Sequence, residues 1–412
     1  MTGRNNRRRL RSRALPIVLC CTLIVGLVFT MIALMLSPGE TPEVNAPVEP
    51  VSVPVSEPEK IPEPAEVRLL GVGDNLIHEA IYRQANRRAG GEGYDFEYAY
   101  QNVREMIASA DIASINQETV MVAEKPLSSY PMFNSPTQLG DYLSKIGFDV
   151  ANLANNHSLD MVPSAGNLAL TSYLSFWKTH PEVLTTGLYE NDEDAQNIRL
   201  LERNGITFAF LGATEWTNGL SLPKNSDVLL MMTQDEEALR AQIEKAKSLA
   251  DVVVMNVHWG IEYTHDPNEG QRELAQKMVD WGVDIILGHH PHVIQPVEYL
   301  TRADGTRGVV VYSLGNFISA QETGDRMIGG ALDVTVRKDF STGEIELTKV
   351  RFIPLITQFE GNWANIRIYP YDQYTAELAN SHGVRAGKTP QFSMEFIDST
   401  VQSVIDQQFL TD

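Results

Sequence analysis

Beyond residue 66 the chain repeats one pattern: a short apolar, β-branched run that ends in a polar cluster. Val67 to Val72 leads to Gly73-Asp74, and Ile112 to Ile115 leads to Asn116-Gln117-Glu118. Val150 to Ala154 leads to Asn155-Asn156-His157, and Val252 to Val257 leads to His258-Trp259-Gly260. Val283 to Leu287 leads to Gly288-His289-His290-Pro291-His292, and Val309 to Tyr312 leads to Ser313-Leu314-Gly315-Asn316-Phe317. Each run has the length and composition of a β-strand. Segments such as Gln234–Leu249 and Glu269–Trp281 carry apolar residues three and four apart, the spacing of an amphipathic helix. Strands alternating with helices predict an α/β core whose ligands gather at the carboxyl ends of the strands. Gly330 to Val336 and Ile345 to Pro354 predict further strands, followed by an irregular tail.

The pattern changes upstream. Ser37 to Glu66 is dominated by Pro, Glu, Val and Ser, too few apolar groups for a core, and reads as an extended spacer. Ala14 to Leu36 has no charged residue and is almost wholly apolar, long enough for a transmembrane helix, which needs roughly 20 residues. Residues 1–13 carry six arginines and no acid, which predicts a cytoplasmic N-terminus and an extracellular remainder. A cleaved signal peptide is the other use of such a run. The length of the run and the lack of an obvious small-residue cleavage site favour a single-pass signal anchor in the cell membrane. The expected organisation is therefore a basic cytoplasmic segment (1–13), an anchor (14–36), a linker (37–66), a catalytic-type domain (67–357) and a C-terminal extension without a motif (358–412).

Composition then narrows the chemistry. The formal net charge is −20, and without the N-terminal arginines the rest carries about −26. Such a body repels polyanions, so nucleic acid is excluded as a partner of its general surface. Both cysteines, Cys20 and Cys21, lie in the apolar run, so the domain holds neither a disulfide nor a thiolate site. Any metal there must be held by His, Asp, Glu and Asn. Five of the nine histidines fall between His258 and His292. Six strand ends loaded with such residues are costly unless the polar groups are paired or put to use. Nitrogen and oxygen donors suit a divalent Mn, Fe or Zn ion, and a set this large can hold one or two.

Taken in order, Gly73-Asp74, Asn116-x-Glu118, Asn155-Asn156-His157-x-x-Asp160, His258-Trp259-Gly260, Gly288-His289-His290-Pro291-His292 and Ser313-Leu314-Gly315-Asn316-Phe317 resemble the CapA family of poly-γ-glutamate capsule biosynthesis proteins. That family is similar in turn to calcineurin-like metallophosphoesterases. The resemblance covers roughly Val67 to Pro354. It implies a layered α/β/β/α sandwich, with Asp74, Glu118, Asn156, His258, His290 and His292 as metal ligands. His157 matches the histidine that helps the leaving group or stabilises transition-state charge, and Asp160 either orients it or caps the next helix. Asn116, Asn155, His78, His289, Trp259 and Asn316 are expected to support the ligands or meet substrate, Trp259 more as packing than as a reader. Two positions depart from the superfamily pattern. Its Asp-x-His block is here Asp74 with His78 four residues on, and Glu118 replaces an aspartate.

The expected function is a membrane-anchored, metal-dependent hydrolase of phosphoesterase type, acting in capsule or poly-γ-glutamate biosynthesis. Its expected partners are the membrane and polyglutamate synthase subunits or a cell-envelope polymer. The alternative is a non-catalytic scaffold subunit of a synthesis or export complex, since polyglutamate contains no phosphoester. Attack on an amide by the same metal site is the third reading.

Overall fold

The computed structural model describes residues 62–411. The expected basic segment, the membrane-spanning run and most of the linker lie outside the described residues. Among the described residues no helix is long and apolar enough to cross a membrane.

The apolar runs form two sheets. The larger has eight strands, running from one edge as Ala364–Pro370, Ile345–Glu360, Ile328–Lys338, Ala65–Asn75, Ile112–Asn116, Val150–Asn152 and Leu184–Thr186, with Asn316–Ile318 also paired to Ala65–Asn75. The smaller has six, in the order Val297–Thr301, Arg307–Val311, Ile285–His289, Val252–His258, Ile206–Thr214 and Arg199–Arg203. In both, the strands that end in polar clusters run parallel to one another, and the antiparallel pairings involve other strands. Their carboxyl ends therefore open on one side.

Alternation along the second sheet shows how the layers stack. Val252, Val254, Ile285, Leu287, Val309 and Val311 face a core shared with Leu69, Val72 and Ile115 of the first sheet. Their neighbours Val253, Met255, Ile286 and Val310 face the opposite way, onto Leu239, Ile243, Ala275 and Met278. The latter belong to the helices Glu236–Leu249 and Glu269–Trp281. Side chains of successive strand residues point to opposite faces, so a strand covered on both sides reads as a continuous apolar run. The α/β class expected from the sequence is the observed one.

Close approach of backbone explains two glycines. A Cβ at Gly288 would stand 2.0 Å from the Tyr312 carbonyl oxygen, and one at Gly73 would stand 2.0 Å from that of Gly315. Both immediately precede site residues. Only glycine lets these strand residues pass so close to the neighbouring backbone without pushing it away.

The C-terminal expectation needs correction. The strand Ile345–Glu360 runs through residue 357, and Ala364–Pro370 adds the next strand of the same sheet. Helices at Ala376–Ser381 and Met394–Val404 follow, burying Ala379, Ile397 and Val401. The tail is thus a regular, packed part of the sheet layer. Its strand has no polar cluster at the end and its helices are short, so neither signal that marks the other elements is present.

Candidate metal centre

Register brings the first residues together. Asp74 pairs with Asn116 on one side and with Asn316 on the other, and His258 pairs with His289 in the second sheet. Asp74, Glu118, His258 and His289 are fully buried, and Asn156, His157, His290 and His292 nearly so. The carboxyl ends of the two sheets meet here, and the side chains converge from both.

Asp74 lies at the centre. Its Oδ1 accepts from Asn116 Nδ2 at 2.8 Å, and its Oδ2 is 3.1 Å from His292 Nδ1 and 3.3 Å from the His290 amide nitrogen, which donates to it. Burial by itself raises this carboxyl. The hydrogen bond and charge of His292, with His289 and Asn116, outweigh it and hold Asp74 below the ordinary carboxylate range.

Glu118 contrasts with it. Neither of its oxygens has a hydrogen-bond partner, although both are shut off from solvent. Burial, reinforced by the charges of Asp74, Glu262 and Asp160, pushes its carboxyl well above the ordinary range. Around it stand His292 Nε2 at 3.6 Å and His258 Nε2 at 3.8 Å, too far for hydrogen bonds. His258 Nε2 also lies 3.0 Å from Asn156 Oδ1. Even as a neutral acid, a buried carboxyl without a partner costs about 1–3 kcal/mol, and its ionised form costs more unless a cation joins it.

The histidines are kept in the form a metal takes. Burial, then the neighbouring imidazoles, lowers His258 well below the usual value, and burial brings His289 and His290 to about 4. A neutral imidazole has a lone pair free for an ion. His290 Nδ1 is buried with no partner. Two overlapping groups of ligand atoms lie within 4.8 Å of one another: Asp74, Glu118 and His292, and Glu262, His290 and His292. Orphaned oxygens, orphaned imidazole nitrogens and this convergence fit a divalent cation held by oxygen and nitrogen. The backbone is bent to achieve it. His290 has φ 99° and His292 φ 57°, left-handed values that side chains other than glycine's adopt at a cost of about 1–3 kcal/mol each.

Beside this group His157 Nδ1 is 2.7 Å from Asp160 Oδ2, and the same oxygen accepts from the Phe133 amide at 2.6 Å. This contact matches the orienting one of the two roles that the sequence position of Asp160 leaves open. Among the described residues nothing hydrogen-bonds His157 Nε2.

The supporting residues fall into distinct places. Asn155 ties loops together, donating from Nδ2 to the Gln117 carbonyl and accepting from the His157 amide. Asn316 Nδ2 lies 3.3 Å from the His292 carbonyl oxygen and 3.0 Å from that of Arg326. His289 is behind Asp74, with Nδ1 3.6 Å from Oδ1 and Nε2 3.3 Å from Asn256 Oδ1. His78 falls in neither ligand group. It packs edge-on against Phe133, Nδ1 accepts from the Ala320 amide at 3.2 Å, and burial lowers it to about 4. Trp259 does not face the centre. Its ring stacks on Tyr312 in the core behind the second sheet, and Nε1 donates to the Tyr312 carbonyl at 2.9 Å.

Glu262 is the ligand candidate that motif reading misses. Gly260, at φ 89°, turns the chain after His258, and its amide donates to Glu215 Oε2 at 2.8 Å. That turn returns the exposed Glu262 toward His290 and His292. The available signal is an acid four residues after a strand-end histidine, with a glycine between.

The family model described as "Bacterial capsule synthesis protein PGA_cap" matches residues 68–321. A PGA biosynthesis protein CapA from Bacillus subtilis is 37% identical over 210 residues, half of this chain and 52% of the relative. A capsule biosynthesis protein CapA from Bacillus anthracis is 32% identical over 275 residues, 64% of this chain and 62% of the relative. The chain thus spans between half and two thirds of the length of these relatives. Among solved structures, a phosphatase from Mycoplasma pneumoniae is 13% identical with a TM-score of 0.42, covering 71% of this chain and 94% of its own. The NAD nucleotidase of Haemophilus influenzae is also 13% identical, with a TM-score of 0.41, covering 73% of this chain and 54% of its own. With the family match extending over well more than half of its length, and with every one of the six strand-end motifs inside it, this chain belongs to the bacterial capsule synthesis protein family PGA_cap.

Proposed function

We propose that the chain is a divalent-metal hydrolase of the phosphoesterase type, held at the cell membrane by residues 14–36 and working beside the machinery that makes capsular polyglutamate. The observation that carries this reading is Glu118, a fully buried carboxyl group with both oxygens unpaired, set beside His258 and His292. A scaffold has no need of such a residue, because an amide or an apolar side chain there would be more stable.

Asp74, Glu118, Asn156, His258, His290 and His292 would hold the metal, with Glu262 closing the set from the solvent side. A bound divalent ion supplies Lewis acidity toward an oxygen of the ester, phosphoryl or amide group that is cleaved. The remaining work belongs to the side chains around it. Asp160 accepts a hydrogen bond from His157 Nδ1, which fixes the ring, and in the imidazolium form Nε2 would hand its proton to the departing oxygen or nitrogen and return to neutral imidazole. Asn116 fixes Asp74 from one side, and Asn316 fixes the loop of His292 from the other. The walls around the centre are buried apolar strands, which strengthens every charge interaction inside.

The reading is tested with the full chain, purified in detergent without chelator, and with Glu118→Gln. Wild type is expected to carry Mn, Fe or Zn by elemental mass spectrometry and to hydrolyse a nitrophenyl phosphodiester. Glu118→Gln is expected to lose metal and activity, while its metal-free form melts roughly 2–6 °C higher than metal-free wild type because an unpaired buried acid is gone. Equal metal content in both proteins, with a lower melting temperature for the variant, would refute the metal reading.

A further inference from the structure

Arg307 and Arg367 stack on tyrosine rings with no carboxylate partner among the described residues, and so does Arg326, but Arg326 stacks on Tyr263 beside the His292 loop. Arg68, Arg199, Arg272 and Arg302 each pair with a carboxylate, at 2.8, 2.7, 2.9 and 2.8 Å. Among the described residues no carboxylate lies within ion-pair distance of the Arg326 guanidinium. Glu322, the nearby acid whose charge it influences, is engaged by Lys388. The Arg326 side chain is nevertheless held in place. Its guanidinium carbon sits 3.3 Å above the ring of Tyr263, and its Nε is buried without a partner.

Both members of this stack are tied to the histidine loop. The Tyr263 amide donates to the Pro291 carbonyl at 2.8 Å, Tyr263 adopts φ 66°, and its ring centroid is 6.1 Å from that of His292. Arg326 lies in the turn Gly324–Met327, and its carbonyl oxygen and that of His292 are reached by the same Asn316 amide group. A left-handed tyrosine, a stacked arginine and a shared amide thus place an unneutralised cation one aromatic ring from a ligand histidine.

We propose that Arg326, stacked on Tyr263, is an oxyanion-recognition subsite of the metal centre, taking a carboxylate or phosphate group of the substrate next to the bond that is cleaved. The proposal rests on the reading of the site as a metal centre. Stacking uses the face of the guanidinium and leaves its in-plane N–H donors for two parallel hydrogen bonds to one oxyanion. The planar fork is the feature that lysine lacks. Such a subsite makes the hydrolase selective for substrates carrying a negative charge beside the reacting group, and neutral esters or amides are poor ligands.

The test is calorimetric binding of inorganic phosphate and of a glutamate trimer to the full chain, with metal content measured on the same samples. Arg326→Ala is expected to weaken binding of at least one probe by roughly 10–100-fold with metal content unchanged, the size of one charge-assisted contact. Arg326→Lys is expected to recover only part of the loss, and Tyr263→Leu to fall between. Loss for phosphate alone assigns the subsite to a phosphoryl group, and loss for the trimer alone assigns it to a carboxylate. Wild-type affinity for both probes in Arg326→Ala, or no binding of either by wild type, would overturn the proposal. Arg326-dependent binding by a protein that holds no metal would leave the subsite standing and remove the metal centre. Metal-loaded protein with Arg326-independent binding would do the reverse.

Discussion

His290 and His382 are buried to a similar degree, and burial lowers each to about 4, yet one belongs to a convergent group of ligands and the other to packing. At His382 both ring nitrogens are satisfied. Nε2 donates to the Thr357 carbonyl at 2.9 Å, Nδ1 accepts from the Val384 amide at 3.1 Å, and Phe359 and Phe392 flank the ring. At His290 the backbone is left-handed, Nδ1 is orphaned, and Glu262 and His292 stand within ligand distance. Burial and a depressed pKa therefore do not mark a site. What separates the two is where the lone pairs go.

The contrast breaks first if the ligand side is ordinary. His292 is common to both ligand groups, so His292→Ala is expected to lower metal affinity by at least about 100-fold, measured by elemental analysis after dialysis against graded chelator. Wild-type retention of metal would place His292 with His382, as packing. The converse substitution, His382→Gln, is expected to leave metal content unchanged and to alter stability. A histidine whose folded pKa lies near 4, against 6.5 unfolded, contributes stability that is complete above about pH 6.5 and is lost as the pH falls toward 4. The loss across that window is about 3 kcal/mol, at 1.36 kcal/mol per unit. Denaturant unfolding at pH 4.5, 5.5 and 7 is expected to show a flatter pH dependence in the variant than in wild type. An unchanged slope would mean that another group carries the acid sensitivity.

The same contrast shows what a sequence makes visible. Asp74, Glu118, His258, His290 and His292 are legible because each ends an apolar run, and the end of a parallel strand opens on the space between the sheets. Their mutual approach follows from register. Glu262 and Arg326 are not legible in this way, since their positions depend on left-handed turns at Gly260 and Tyr263 and on a ring stack, none of which has a period. The strand Ile206–Thr214 obeys the rule of the other strands, but its polar end, Thr214-Glu215, carries no histidine or amide to draw notice. The C-terminal strand and helices lack the contrast that would announce them, and they pack onto the sheet all the same. Asp160 shows the limit within a motif: its spacing from His157 permits either a helix cap or a side-chain bond, and the 2.7 Å contact is visible only in the folded chain.

That contact is open to a milder test. Asp160→Asn keeps the volume and the bond from the Phe133 amide but removes the charge that holds the His157 proton on Nδ1. Turnover of a phosphodiester is expected to fall roughly 10–100-fold with metal content intact. Undiminished turnover would return Asp160 to a purely structural role.

The smallest expected effect concerns Trp259, which stands next to a ligand histidine in sequence yet on the other side of the sheet in space. Because alternate residues of a strand face opposite ways, His258 points into the space between the sheets and Trp259 into the core with Tyr312. Trp259→Phe keeps the aromatic stack and deletes one hydrogen bond, leaving the Tyr312 carbonyl without that donor. The expected cost is about 1–2 kcal/mol of stability, read as a shifted denaturation midpoint, with metal affinity and turnover within twofold of wild type. A change in substrate affinity with stability unaltered would mean that Trp259 meets substrate, and the line drawn between ligands and packing would then run one residue further along the strand.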